Sequence, residues 1–416
     1  MARRSLVLSA LLLIVPLSAR AEDVVPRLSA LPIEDVPSTR PNPFPAFGNF
    51  AWRAFVALNW PAASDGAPDL TRQLSDAGPR TWERFSPRYA AFPDAGHADG
   101  PCGVTGRTVS AYEPFAEFNQ TSFISGRFEP PLVAANRTHV RYEVRLNPTA
   151  LNALIGFRQG ALFRAPAGSV SVKAAWRLLT AADPPALHSR YYVVRAAVTD
   201  IAATLAAGKV ECETRDLALV CFHIVIRTPY RPQGIWATFE HVDVAPPGAI
   251  GESSAGGAGP PLPFVPGSAA GEASPPPGAA AASLTHPPEI DPEPTPVARR
   301  HPIHPELMAI NRAYWALPGL AGTIWANYML VAVQWPTLPL PVSPDNDGRY
   351  FPGLRLDPNT PGEPYQASDD GADYNLVNVT METFEQDPPS SCMACHHAVS
   401  NALGRDFVGI IPPGGE

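Results

Sequence analysis

The sequence predicts an α+β fold: an antiparallel β-rich body, either a sandwich or an open barrel, followed by a C-terminal helical region that carries a Cys-X-X-Cys-His motif. Three observations predict it. Between His139 and Val244 the apolar residues recur in short β-branched and aromatic runs bounded by turn residues. Helical spacing is confined to a stretch before those runs and to residues 305–335 after them. Between the two parts lies a tract, residues 246–300, dominated by Pro, Gly, Ala and Ser, which holds too few large apolar side chains to offset the entropy of ordering it.

The chain opens on an export signal. Arg3 and Arg4 supply a positive start, Leu6 to Leu17 an apolar core, and Ala19-Arg20-Ala21 a small-residue cleavage site, so residues 1–21 are read as a signal peptide. The apolar run is too short to span a bilayer, which predicts no membrane span after cleavage. No cysteine stands near the cleavage point to take a lipid. The formal net charge is −8, and loss of Arg3, Arg4 and Arg20 makes the remainder three charges more negative. That balance disfavours nucleic acid and anionic membrane surfaces as partners. The reading places the protein in the periplasm.

With 416 residues and 45% apolar content the chain can fill more than one core, while 51 prolines, about twice the usual share, mark many element boundaries. In the body, residues 22–245, Phe47 to Leu58 places apolar residues at 47, 50, 51, 55 and 58, a helical period that Asn59-Trp60-Pro61 stops. Residues 64–130 read as irregular. Val140–Leu146, Val170–Leu179, Tyr191–Val198 and Gly234–Val244 read as strands, and Val210–Thr214 with Leu217–Arg227 as a hairpin around Arg215-Asp216. His286, His301 and His304, near the end of the Pro-rich tract, lack acidic or cysteine partners at ligand spacing and read as solvated. In the region 301–416, Pro305–Leu317 and Pro318–Trp335 read as two helices, each with proline at its start. Their Trp315, Trp325 and Trp335 suit either an ordinary core or the walls of a flat cofactor.

The chemistry gathers at Ser391-Cys392-Met393-Ala394-Cys395-His396-His397. Two cysteines three positions apart share one helix face, and a histidine directly follows the second; this is the attachment signature of c-type haem. Cys392 and Cys395 would form thioethers to the haem vinyl groups, and His396 would be the proximal iron ligand. A thioredoxin-like dithiol wants a βαβ setting that does not precede the motif, and a zinc site wants four ligands that adjacent residues seldom supply. The reading is one covalent haem c per chain. Of the remaining cysteines, Cys212 and Cys221 would meet across the proposed hairpin and leave Cys102 free, with a bridge from Cys102 to either as the alternative.

The motif segment resembles a c-type cytochrome. Phe55–Pro61, Val172–Trp176, Phe222–Val225, Trp236–Asp243 and Thr380–Phe384 further resemble a family of exported bacterial single-haem cytochrome c proteins, a resemblance that spans most of the chain outside the Pro-rich tract and brings no activity with it. The chain departs from small cytochromes c, whose motif lies early and whose later methionine is the sixth iron ligand: His396–Glu416 holds no methionine. The sixth ligand would come from upstream, with Met381 the first candidate and His223 the second, since His223 alternates with Phe222 and Ile224 on a strand. Two functions follow from a bound haem. One is electron transfer with a redox partner protein; the alternative is a haem enzyme or gas-binding sensor with an open sixth iron position, its substrate undefined.

Overall fold

The structure, a computed structural model, describes residues 32, 36, 44–91, 132–158, 165–209, 211–229, 231–245, 263–266, 290–299, 301–335, 378–383 and 386. Its centre is an antiparallel sheet of seven strands: β1 (Ser86–Pro87), β2 (Arg141–Leu146), β3 (Val170–Leu178), β4 (Val193–Thr199), β5 (Cys212–Thr228), β6 (Arg231–His241) and the last strand, β9 (Tyr328–Gln334). Two two-residue strands, β7 (Val265–Pro266) and β8 (Pro296–Val297), pair in parallel beside it. The helices are α1 (Phe44–Asn59), α2 (Pro148–Arg158), α3 (Pro185–Arg190), α4 (Ile201–Ala207) and α5 (Pro305–Trp315). Among the described residues the order is β1-β2-β3-β5-β6-β9, an antiparallel β-sheet body whose end strands, β1 and β9, are not paired with each other.

β5 is the spine of the sheet. β3 runs along one of its edges, from Val170 opposite Ile226 to Leu178 opposite Leu217. The other edge is shared end to end: β4 pairs with residues 212–218 and β6 with residues 221–228. At the break between them the Tyr328 hydroxyl accepts the Tyr192 N–H at 3.1 Å and donates to the Leu219 carbonyl at 2.9 Å, so the gap in the ladder is filled by a side chain. The hairpin expected around Arg215-Asp216 does not exist. Two adjacent charges look like a turn in the sequence, but here they decorate the exposed end of one continuous strand: Asp216 pairs with Arg195 across β4 at 3.0 Å, and Arg215 with Glu213 at 3.1 Å.

The same continuity overturns the expected disulfide. Cys212 and Cys221 lie nine residues apart on one strand, a separation of about 30 Å at a strand's rise per residue, whereas a bridge needs Cα atoms within about 7 Å. Cys221 is a free, buried thiol, and Cys212 is disulfide-bonded to a partner outside the described residues.

One face of the sheet is covered by α1 and α5. Alternation along β3, β5 and β6 sends Val172, Ala174, Phe222, Ile224, Ala237 and Phe239 to this face, where Phe47, Trp52, Phe55 and Leu58 of α1 meet them. Phe55 stacks on Phe239 with centroids 4.2 Å apart, and Trp52 on Tyr314 of α5 at 4.9 Å. The two helices approach closely because position 48 is glycine: a Cβ there would stand 2.5 Å from Ile310 Cδ1. At the N-terminus of α5, His304 caps the helix through Nδ1, which accepts the Glu306 N–H, while Pro305 occupies the first turn. Asn311 of α5 then takes the place of a neighbouring strand, exchanging hydrogen bonds of 2.9 Å with both the N–H and the carbonyl of Leu330. That closes part of the β9 edge.

The helix expected over Pro318–Trp335 is instead a set of turns, one 3-10 turn (Ile324–Asn327) and β9. Tyr328–Gln334 is buried at every position, so its apolar run carries neither period, and the packing decides for strand. Residues 301–335 therefore build the same sheet and core as the body. Two parts of the Pro-rich tract, residues 263–266 and 290–299, also dock. Phe264 and Val297 are buried, Ala135 N–H reaches the Pro263 carbonyl at 2.9 Å, and Arg137 pairs with Asp291 and Glu293. The opposite face of the sheet carries two smaller apolar clusters, one around Tyr142, Ala175, Val220 and Cys221, the other where α2 packs Ala150 and Leu154 on Leu146, Val225 and Trp236.

Candidate functional site

Cys392, Cys395 and His396 lie outside the described residues. The segment that leads to them, Asn378–Thr383 with Gln386, is described, and it is seated on the sheet face opposite α1. Its hold is partly polar, and Val379 and Met381 add apolar packing. Asn378 Nδ2 donates to Thr238 Oγ1 at 2.8 Å, and Val379 N–H donates to Glu240 Oε1 at 2.9 Å. The Tyr142 hydroxyl donates to the Thr380 carbonyl at 2.8 Å, and Gln386 Nε2 to the carbonyls of Ala298 and Thr383 at 2.7 and 3.0 Å. Within the segment, Asn378 Oδ1 accepts both the N–H and the hydroxyl of Thr380, and Thr383 Oγ1 donates to the Val379 carbonyl. Glu240, itself fully buried, is neutralised by an ion pair with Arg299.

His223 faces this segment. Phe222 and Ile224 point into the α1 core, so strand alternation sends the imidazole to the other side, as the sequence requires. Its Nε2 lies 3.1 Å from Glu382 Oε1, while Glu382 Oε2 accepts the Asn378 N–H at 2.9 Å. Burial pushes the Glu382 carboxyl up, but the charge and hydrogen bond of His223, the Asn378 N–H and the Lys173 ammonium together hold it below the usual carboxylate range. Strand register sets a transverse row across the face: Val144 opposite Lys173, Lys173 opposite His223, His223 opposite Thr238, Thr238 opposite Ala332. Val144, Lys173 and His223 are half-buried in strands whose other members around them are almost all buried. The row lies between the two apolar clusters of this face.

Met381 sits in the first of those clusters, 5% exposed, with Tyr142 and Val379. The structure thus brings the two candidate sixth ligands into one neighbourhood, because Glu382 follows Met381 and pairs with His223. Neither is presented as an open donor atom: the thioether is packed in the cluster and Nε2 is engaged by Glu382. Cys221, on the same face two residues before His223, is no nucleophile. Burial, and after it the charges of Glu240 and Glu382, push its thiol well up. Among the described residues no group of three or more His, Cys, Asp and Glu side chains is placed to hold a metal ion, and no helix is long and apolar enough to cross a membrane.

Lys173, Glu382 and the Glu240–Arg299 pair escaped the sequence reading. Lys173 carried a usable signal, since it stands in the same alternation as His223, but the register that aligns them belongs to pairing between distant strands. A further histidine, His241, is structural. Its ring stacks on Tyr191 at 3.7 Å, Nε2–H donates to the Arg190 carbonyl at 3.1 Å, and Nδ1 accepts the Asp243 N–H. Burial pulls it down to about 4, so it is neutral in the fold.

No protein-family model, curated protein or solved structure matches this chain.

Proposed function

We propose that the chain is a periplasmic c-type cytochrome that binds one covalent haem through Cys392 and Cys395, with His396 as proximal iron ligand, and transfers electrons to a redox partner protein. The observation that carries this reading is the Cys-X-X-Cys-His motif in a chain that opens on an export signal. The fold supports it in one respect. Gln386 is fixed by two hydrogen bonds, and the six residue steps from there to Cys392 reach at most about 22 Å. A haem on that motif would be tethered to a polar anchor on a rigid sheet, which suits a relay whose geometry changes little between oxidation states. When bound, the haem supplies one-electron iron chemistry. The chain's own residues contribute the anchor, the apolar cluster that Val379 and Met381 join, and the polar side chains of Lys173, His223 and Glu382 near it.

The half-buried row of Lys173 and His223, with Glu382 bonded to the imidazole, favours a second reading, a haem enzyme or gas-binding sensor, because it sets an acid–base pair among strand positions that are mostly buried. The sixth ligand separates the two. Met381 would suit the carrier, and His223 would have to release Glu382 or bind through Nδ1. The ferric absorption spectrum of the holoprotein, compared with that of Met381→Leu, which keeps the cluster volume, tests this. A weak near-infrared sulfur-to-iron band lost in the variant supports methionine ligation and carriage. A high-spin ferric spectrum with rapid carbon monoxide binding on reduction supports the enzyme or sensor and overturns carriage.

A further inference from the structure

Tyr191 and Tyr192, just before β4, send their rings to opposite faces of the sheet: Tyr191 joins the cluster that holds Met381, and Tyr192 the core beneath α1. A row of rings connects them past the break between β4 and β6. Ring centroids are 3.7 Å apart from Tyr191 to His241, 5.2 Å from there to Tyr328, 5.7 Å on to Trp325 and 5.0 Å from Trp325 to Tyr192. The tyrosines at the two ends donate to carboxylates, Tyr191 to Asp243 Oδ2 at 3.3 Å and Tyr192 to Glu83 Oε1 at 2.9 Å, whereas Tyr328 in the middle donates to a carbonyl. The two acceptors differ. Asp243 is neutralised by Arg190, as the buried Glu143, Asp183 and Glu240 are each neutralised by an arginine. Glu83, half-buried, has no ion-pair partner among the described residues; its carboxylate accepts the Arg80 N–H and the Tyr192 hydroxyl. Loss of surrounding water pushes the Glu83 carboxyl up, which makes it a stronger base than a solvated carboxylate.

These features suit the loss of an electron and a proton together. Burial pushes the Tyr192 hydroxyl well up, so no phenolate forms beforehand and the proton leaves with the electron. The Arg80 guanidinium stands 5.3 Å from both the Tyr192 and the Trp325 ring centroids and opposes a cation radical on the indole, while transfer of the proton to Glu83 leaves Tyr192 a neutral radical. We propose that Tyr192 is a redox-active tyrosine, which gives its hydroxyl proton to Glu83 as its electron passes along the row to a one-electron oxidant strong enough to oxidise a phenol. The O–H bond of Tyr192 breaks, an O–H bond forms at Glu83 Oε1, and the oxidant gains one electron; an electron returned to Tyr192 brings the proton back. Such a row discharges strongly oxidising equivalents. The reaction goes beyond electron carriage and does not depend on a bound haem.

Flash-quench oxidation of the full chain tests it. Photo-excited tris(bipyridine)ruthenium(II), quenched irreversibly by pentaamminechlorocobalt(III), leaves ruthenium(III) as the one-electron oxidant. Samples frozen after the flash should show, by high-field electron paramagnetic resonance, a tyrosyl radical whose g-tensor reports a hydrogen bond to the phenoxyl oxygen. Tyr192→Phe should lose that signal. Trp325→Phe, which keeps a ring but removes the oxidisable indole, should lower its yield. Glu83→Gln keeps an acceptor for the Arg80 N–H but cannot take the proton, so the radical should form at least about tenfold more slowly and at a rate that rises with buffer base, a dependence absent from the unmodified protein. A hydrogen-bonded tyrosyl signal that persists in folded Tyr192→Phe would overturn the proposal. So would a Glu83→Gln rate equal to that of the unmodified protein and indifferent to buffer base.

Discussion

The two faces of the central sheet are built by the same strands and do opposite work. Phe222 faces α1 and joins a stack of aromatic rings; His223, the next residue, faces the segment that leads to the cysteine motif and meets a carboxylate. On the α1 face burial is apolar and the stability comes from area removed from water and from ring packing. On the other face burial extends to charges, which are tolerated because each is paired: Glu240 with Arg299, Glu382 with His223. The difference teaches that period-two alternation both stabilises this sheet and places its chemistry, and that the two tasks are separated by the thickness of one strand.

That separation is open to direct attack. Phe55→Ala should cost about 3–5 kcal/mol, the usual loss for a fully buried ring, and no second substitution on the sheet should recover it, because the cavity stays. Arg299→Met should cost about as much, by stranding the Glu240 carboxylate, but adding Glu240→Gln should recover most of the loss, since the amide keeps the acceptor for Val379 N–H and removes the charge. Chemical denaturation of the three variants checks the contrast. If the double variant is no more stable than Arg299→Met, the polar face is not held by paired charges.

A smaller effect concerns pH. His241 is buried and its folded value, about 4, lies below the unfolded value, so the unfolded chain binds the extra proton first. Stability contributed by the neutral ring is complete above about pH 6.5 and is lost as pH falls from there towards 4, by at most about 3 kcal/mol. In His241→Gln this part of the acid dependence should be absent. A variant that loses stability across that window as steeply as the unmodified protein would show that His241 does not titrate as its surroundings imply.

How much of this was legible in the sequence follows from how local each signal was. α1 declared itself because its apolar spacing and its stop at Asn59-Trp60-Pro61 lie within one short stretch, and His223 was assigned to the correct side of its strand because alternation is local. β5 reads as a hairpin in the sequence because Arg215 and Asp216 imitate a turn, and the partner of Asp216, Arg195, is visible only once β4 and β5 are paired. β9 was misread as helix because a strand buried on both faces has no period to read. The polar row needed the register of five strands, which no spacing encodes. Glu382 needed a contact across 159 positions of sequence.

The proposed attachment of haem to Cys392 and Cys395 is testable in one measurement because Cys212 is disulfide-bonded. Five cysteines are present, Cys221 is free and Cys212 is bridged, so the partner of Cys212 is Cys102, Cys392 or Cys395. Haem on the motif leaves Cys102 alone available. Mass-spectrometric peptide mapping of the exported protein without reduction, after extraction with acidic organic solvent, should find the haem retained on the peptide that contains Cys392 and Cys395, and Cys102 linked to Cys212. Haem lost to the solvent, or a peptide joining Cys212 to Cys392 or Cys395, would contradict the account.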